Sequence, residues 1–271
     1  MFKRKKGIWF LIVAIFFLCV MGGAALAQDF NFRVLLVGYG WYTGIPEGQV
    51  NVAQRVVQDL HGSMIAGTRV HSIVIPVTWK GAVPPVIASI KEYDPDIVIA
   101  LGASPGTYGL RPEKYGCNTS YGNDASVPTP VMRGKMADGK RVYEPINPNG
   151  PAFEECTIPV DKIVNSILKA GIPAYAGSKF QKEGYGDTWF STAGTYLCNW
   201  ATYSISQYIR EHGLDIKFGF IHIPTLPEYV AGDMLEGKKG KANMPLELIE
   251  KAIKIAIKTA VEDQTGGRVW Y

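Results

Sequence analysis

The stretch Phe32-Arg33-Val34-Leu35-Leu36-Val37-Gly38 (FRVLLVG) is a short aliphatic run that stops at a glycine. It is too brief for a buried helix and lacks the polar alternation of a half-exposed strand, so it reads as a strand buried on both faces. Runs of the same form recur at 69–77, 96–102, 172–176 and 217–222. Between them lie segments with apolar residues at helical spacing, at 50–60, 81–93, 160–170, 194–211 and 245–262. In the last of these, Ile249, Ala252, Ile253, Ala256, Ile257 and Ala260 form one stripe. Strands alternating with helices predict an α/β fold: a single three-layer α/β/α domain with a twisted, mostly parallel sheet and its chemistry beyond the carboxyl ends of the strands. No repeat or internal boundary interrupts residues 28–271, which read as one domain. Two stretches depart from the rhythm. Residues 107–155 are rich in Gly, Pro, Asn and Tyr, and 177–192 (GSKFQKEGYGDTWFST) form a polar, aromatic-bearing insertion. Loops of such length in a compact domain serve as functional lids or mobile excursions.

The 271 residues are 47% hydrophobic and carry a formal net charge of +4, a profile that excludes disordered, collagenous and disulfide-dense proteins. All of that excess is local. Lys3, Arg4, Lys5 and Lys6 precede residue 28 with no acid beside them, which leaves 28 − 4 = 24 basic against 24 acidic residues in the rest. Nucleic acid is therefore not an expected partner. The basic head, the apolar run Ile8 to Met21, the Gly22-Gly23 break and Ala25-Leu26-Ala27 have the layout of a secretory signal peptide cleaved after Ala27. The alternative is an uncleaved anchor through residues 8–27, about long enough to cross a bilayer at roughly 20 residues. Cleavage predicts an exported (periplasmic or secreted) domain without a membrane partner. Its remaining cysteines, Cys117, Cys156 and Cys198, are odd in number, so at least one thiol is left over.

Three places could carry chemistry. Cys198 falls near the start of a predicted helix, where unpaired amides and the macrodipole favour a thiolate, although a small core cysteine is the plainer reading of the segment alone. His222 ends a strand and is followed by Pro224 and Pro227, a setting that can project an imidazole into a cleft as a general base. Taken singly, it could equally be a hydrogen-bonded structural histidine. Glu113 follows the strand ending at Gly102 and could orient a histidine. By itself it is an ordinary glutamate. His61, His71 and His212 show no metal-ligand spacing, so a zinc site is not expected.

Together these settings resemble the pyroglutamyl peptidase I (pyrrolidone-carboxylate peptidase) family of cysteine peptidases. Ala193 to Asn199 matches its Ala-Gly-x-Tyr-hydrophobic-Cys-Asn signature, His222 to Pro227 its His-(Val/Ile)-Pro-x-x-Pro signature, and Glu113 to Asn118 echoes its Glu-Arg-x-x-x-Asn run. The likeness continues through Pro76-Val77-Thr78-Trp79, Pro95 to Val98, Thr157-Ile158-Pro159 and Gly171 to Ala174. The resemblance implies removal of an N-terminal pyroglutamyl group from a small peptide with a blocked N-terminus, without a cofactor. Cys198 would be the nucleophile, His222 the base and Glu113 the third triad member, acting through a thioester. Tyr39, Tyr42 and Gly44, in the run that corresponds to the family's Phe-x-x-Phe-Gly-Gly motif with tyrosine at both aromatic positions and Thr43 for its first glycine, would bind substrate. Thr107 would do so where many members carry arginine. The family often forms homo-oligomers, an expectation that extends to this chain.

With Cys198 as the working thiol, Cys117 and Cys156 either pair in a disulfide that would tie down the long loop that they flank or stay two independent free cysteines, since sequence separation does not give their Cα approach. Two other functions stay open: hydrolysis of another small N-terminal acyl or amide group, and non-catalytic binding of a peptide or lactam on the same fold.

Overall fold

The run at 32–38 forms β1 (Arg33–Tyr39), in which every residue after Arg33 is buried. The computed structural model describes residues 32–43, 45, 48–104, 107–124, 130–176, 192–230 and 242–266, all within the compact unit Phe32–Tyr271. The expected leader at 1–27, Gly44 and residues 177–191 of the insertion lie outside the described residues. β1 pairs in parallel with β3 (Thr68–Ile75) on one side and β4 (Ile97–Ala103) on the other, and β4 pairs in parallel with β12 (Lys217–Ile223). Two-residue antiparallel strands complete the sheet: β2 (Met64–Ile65) on β3 and β5 (Arg111–Pro112) on β12. The order is β2-β3-β1-β4-β12-β5, the mostly parallel sheet expected from the sequence.

Alternation along each strand divides the core in two. Val34, Leu36, Ile97, Ile99, Leu101, Ile221 and Ile223 point to the face covered by α1 (Val52–Asp59), α3 (Val160–Lys169) and α5 (Leu246–Thr265). Leu35, Val37, Tyr39, Val98, Ala100, Phe218 and Phe220 point to the face covered by α2 (Pro84–Tyr93) and α4 (Leu197–Glu211). Neighbours such as Leu35 and Leu36 are thus both fully buried, on opposite faces, each contributing about 1.5–3 kcal/mol of hydrophobic transfer. This is the three-layer arrangement predicted, and it explains why the strands read as continuous apolar runs.

Local chemistry sets the element ends. Asn51 caps α1, its side chain accepting from the Ala53 amide at 3.0 Å. Pro84 opens α2, and Asp94 closes it in a left-handed conformation at φ 47° before Pro95. Gly38 permits α1 to pack on β1, because a Cβ there would stand 2.5 Å from the Ala53 carbonyl oxygen.

Two expectations change. Residues 172–176 form no strand; they make one parallel bridge, Ala174 to Leu110, with the Leu110 amide donating to the Pro173 carbonyl at 3.0 Å. Pro173 has no N–H to extend a ladder. The stretch 107–155, expected as a loop, contains β5 and six further short strands among the described residues: β6 (Tyr115–Cys117), β7 (Gly122–Asn123), β8 (Met132–Arg133), β9 (Lys135–Ala137), β10 (Lys140–Val142) and β11 (Phe153–Glu155). Their pairs are two or three residues long, too brief to show as apolar periodicity.

Candidate active site

β1 sits where the strand order reverses: the chain moves outward through α1 to β3, then returns through α2 to β4 on the other side of β1. Such a reversal leaves a crevice at the carboxyl ends of the two diverging strands. A cavity of about 220 Å³ lies there. Tyr39 from the end of β1, Gly102 and Ala103 from the end of β4, and Val77 beyond β3 line it, with Tyr42, Asn51, Tyr196, Leu197 and Cys198.

Cys198 is the second residue of α4 and packs against the α2/α4 side of the core. Helix geometry leaves the first-turn amides without intrahelical partners, and the Tyr196 side chain makes no capping bond. His222 shares the parity of Phe218 and Phe220 on β12, so its ring is directed to the face covered by α4. The Phe220 and His222 rings meet edge to face at 5.0 Å. Glu113 follows β5, and its amide donates to the Phe220 carbonyl at 2.8 Å. Its carboxylate Oε1 lies 2.7 Å from His222 Nδ1. The Cys198 side chain acts on the same imidazole, its charge and hydrogen-bonding capacity raising the ring's pKa. Three residues far apart in the sequence thus act on one another, Glu113 in contact with His222 and Cys198 coupled to it electrostatically.

Burial disfavours a charged imidazole at His222. The charge on Cys198 and its hydrogen bond, with the hydrogen bond and charge of Glu113, outweigh that cost and raise the pKa from 6.5 to about 9. Burial, with smaller contributions from Cys198 and Tyr196, also raises the Tyr39 phenol well above its ordinary value. The Tyr39 hydroxyl is committed: it donates to the Leu197 carbonyl at 2.5 Å, leaving the ring to wall the cavity. Thr107 is fully buried with no hydrogen-bond partner for Oγ1, and it is not among the residues lining the cavity.

The expected disulfide is not formed; Cys117, Cys156 and Cys198 all carry thiols. β11 pairs antiparallel with β6, setting Phe153 opposite Cys117, while the Cys156 amide bonds the Lys114 carbonyl three positions along. Three residues of strand span about 10 Å, beyond the reach of about 7 Å between Cα atoms of bridged cysteines. Cys117 Sγ instead contacts the Gly194 carbonyl at 3.1 Å and Asn199 Oδ1 at 3.3 Å. Burial pushes the Cys156 thiol up to about 12, with Glu113 and Glu155 adding to the shift.

Three residues not singled out by the sequence reading shape the site. Gly102 gives the thiol room, since a Cβ would stand 2.9 Å from Cys198 Sγ and 2.7 Å from Phe220 Cζ. Asn51 lines the cavity and donates through Nδ2 to the Gly40 carbonyl at 2.8 Å. Arg111 lies beside Glu113, with Nε 2.7 Å from Oε1. A glycine ending an apolar strand was visible as a strand stop; its contact with a distant thiol was not.

The family profile described as pyroglutamyl peptidase matches residues 32–263. A pyrrolidone-carboxylate peptidase from Coprothermobacter proteolyticus is 32% identical over 231 residues, covering 85% of this chain and 97% of its own. One from Pyrococcus furiosus is 29% identical over 232 residues, covering 85% and 99%. The solved structure of a mutant pyrrolidone carboxyl peptidase from the same hyperthermophile, P. furiosus, superimposes with a TM-score of 0.70 at 28% identity, covering 86% of this chain and 99% of that one. The chain belongs to the pyroglutamyl peptidase family, and it is a cysteine peptidase of the omega-peptidase class.

Proposed function

We propose that this peptidase removes the N-terminal pyroglutamyl residue of small peptides through a Cys198-His222-Glu113 triad and a thioester, and that it works after export. The observation that carries the reading is the 2.7 Å contact of His222 Nδ1 with Glu113 Oε1, on an imidazole whose pKa also responds to Cys198 in the wall of the cavity. In this reading His222 takes the thiol proton, and the sulfur attacks the carbonyl that joins pyroglutamate to the next residue, forming a C–S bond. First-turn amides of α4 face the developing oxyanion. Collapse breaks the C–N bond, and His222 gives its proton to the departing amine. Water, deprotonated by the same imidazole, then releases pyroglutamate from the thioester. Glu113, accepting from Nδ1, keeps the other ring nitrogen towards sulfur throughout.

The size of the cavity supports a compact acyl group. At about 220 Å³ it falls below the roughly 300–1,000 Å³ usual for drug-sized ligands. Because the Tyr39 hydroxyl is engaged by Leu197, tyrosine at this position still presents an aromatic wall to a lactam ring. Export rests on residues 1–27 alone.

The test is turnover of a pyroglutamyl-arylamide under mild reduction, beside the prolyl analogue that lacks the lactam carbonyl. Wild type is expected to cleave only the former, with mass spectrometry of a rapidly quenched reaction showing the acyl group on Cys198. Cys198→Ala is expected to lose turnover by about a thousandfold or more. Undiminished turnover in that variant would overturn the mechanism.

A further inference from the structure

Arg111 occupies a place that the triad alone does not require. The two-residue strand β5 pairs antiparallel with β12 so that Arg111 stands directly across from His222, and Pro112 across from Ile221. Directly opposed residues share a face of the sheet, and period-two alternation puts Glu113 on that face as well. The strand thus delivers a guanidinium and a carboxylate together to the imidazole. Arg111 Nε donates to Glu113 Oε1 at 2.7 Å, the same oxygen that His222 Nδ1 approaches at 2.7 Å. Arg111 Nη2 lies 3.1 Å from His222 Nδ1. With the Nδ1 proton directed to Oε1, that last approach sets two donors side by side, a contact of charge rather than a hydrogen bond. The Glu113 side chain is fully buried and that of Arg111 is 27% exposed, so solvent screens this cation less than an ordinary surface arginine.

Counting charge shows what the guanidinium contributes. In the working state the imidazolium balances one anion, and thiolate plus carboxylate make two, leaving the buried group at −1 without Arg111 and neutral with it. A buried net charge is costly, and a carboxylate free to turn could leave Nδ1 without its acceptor. We propose that Arg111 is a positioning residue of this peptidase, clamping Glu113 Oε1 against His222 Nδ1 and neutralising the buried Cys198-His222-Glu113 group. This role presupposes the triad proposed above.

The groups that face His222 are Cys198 from α4 and Glu113 and Arg111 from β5 and its end, with Cys156 close enough to Glu113 to feel its charge. Removing the cation strengthens proton binding at both the thiol and the imidazole. The two limbs of the pH profile of kcat/KM should then both move to higher pH. The experiment measures those profiles, with kcat and KM separately, for wild type, Arg111→Gln, Arg111→Lys and Cys198→Ala, after far-UV circular dichroism has established folding. Arg111→Gln is expected to lower kcat about tenfold or more with KM nearly unchanged, as for a slightly misplaced reacting group, and to move both limbs upward by about one unit, as for loss of a nearby charge. Arg111→Lys keeps the charge but not the planar fork, so kcat should fall while the limbs stay in place.

A folded Arg111→Gln protein with wild-type limbs overturns the proposal, because a merely structural arginine would change yield or rate without moving them. If Arg111→Gln does not fold, Arg111→Lys decides: wild-type kcat in that variant overturns the clamp. Persisting turnover in Cys198→Ala sinks the triad and this inference together. An inactive Cys198→Ala beside an unaltered Arg111→Gln removes this inference alone.

Discussion

Among single residues, His222 decides how the site responds to pH. Its folded pKa of about 9 stands above the ordinary 6.5, because the gains from Cys198 and Glu113 exceed the cost of burial. A group shifted upward contributes stability that is fully present below its unfolded value and is lost as pH rises through the folded one. Stability against urea should therefore decline between about pH 6.5 and 9, and less so in His222→Ala. Turnover should fall over the upper part of the same window as the imidazolium is lost. Glu113 makes the complementary point, since a glutamine there keeps the shape but no longer fixes the tautomer. Glu113→Gln is expected to lower kcat by about 10²–10⁴-fold while leaving KM for the arylamide within a small factor. Gly102 is sensitive for a steric reason: Gly102→Ala puts a methyl 2.9 Å from Cys198 Sγ, at a cost of about 1–3 kcal/mol of overpacking. Iodoacetamide labelling of Cys198 should slow in that variant even where the protein remains folded.

Among the elements, the site depends on two contacts that hold short segments in register. α4 is pinned to β6 through one side chain. Asn199, fully buried, donates through Nδ2 to the carbonyls of Cys117 and Thr119, each at 2.8 Å, and accepts from the Cys117 amide at 2.8 Å. The neighbouring Tyr39 hydroxyl holds the Leu197 carbonyl. Asn199, the residue after Cys198, is thus a structural fastener that fixes how the start of α4 meets the sheet. Asn199→Ala removes these three hydrogen bonds, the Cys117 carbonyl keeping that of the Thr119 amide at 2.7 Å, and a buried group left unpaired costs about 1–3 kcal/mol. A drop in melting temperature together with lower kcat is expected, and a fully stable Asn199→Ala would show that α4 is held by its apolar face alone. The second contact is β5 on β12, two residues long, which brings Arg111 and Glu113 to His222. Nothing in so short a strand announces itself by periodicity, which is why 107–155 reads as loop in the sequence although it carries Glu113.

Across the molecule as a whole, three buried or half-buried thiols share one chain but not one reactivity. Cys117 is engaged by Gly194 and Asn199, and burial holds Cys156 at about 12, so native protein at neutral pH should take up a single equivalent of iodoacetamide, at Cys198. Denatured, unreduced protein should then give three reactive thiols if residues 1–27 have been removed and four if Cys19 is still present. A count of one would restore the Cys117–Cys156 bridge, and a count of four in material recovered from outside the cell would overturn cleavage after Ala27.

The central strands, the face-covering helices and the residue types at 198, 222 and 113 were legible in the sequence. Period-two and helical patterning are local consequences of burial, and the motifs around the cysteine and histidine are contiguous. What the chain alone could not carry are relations between residues far apart: the parity that turns His222 towards α4, the register that sets Arg111 across from it, and the offset that keeps Cys117 from Cys156. Each is set by how strands pair, and pairing is decided by the whole sheet. Local patterning therefore suffices for the layers and for naming the residues proposed to react. Their geometry belongs to the assembled sheet, because a one-residue change in register moves a side chain to the opposite face.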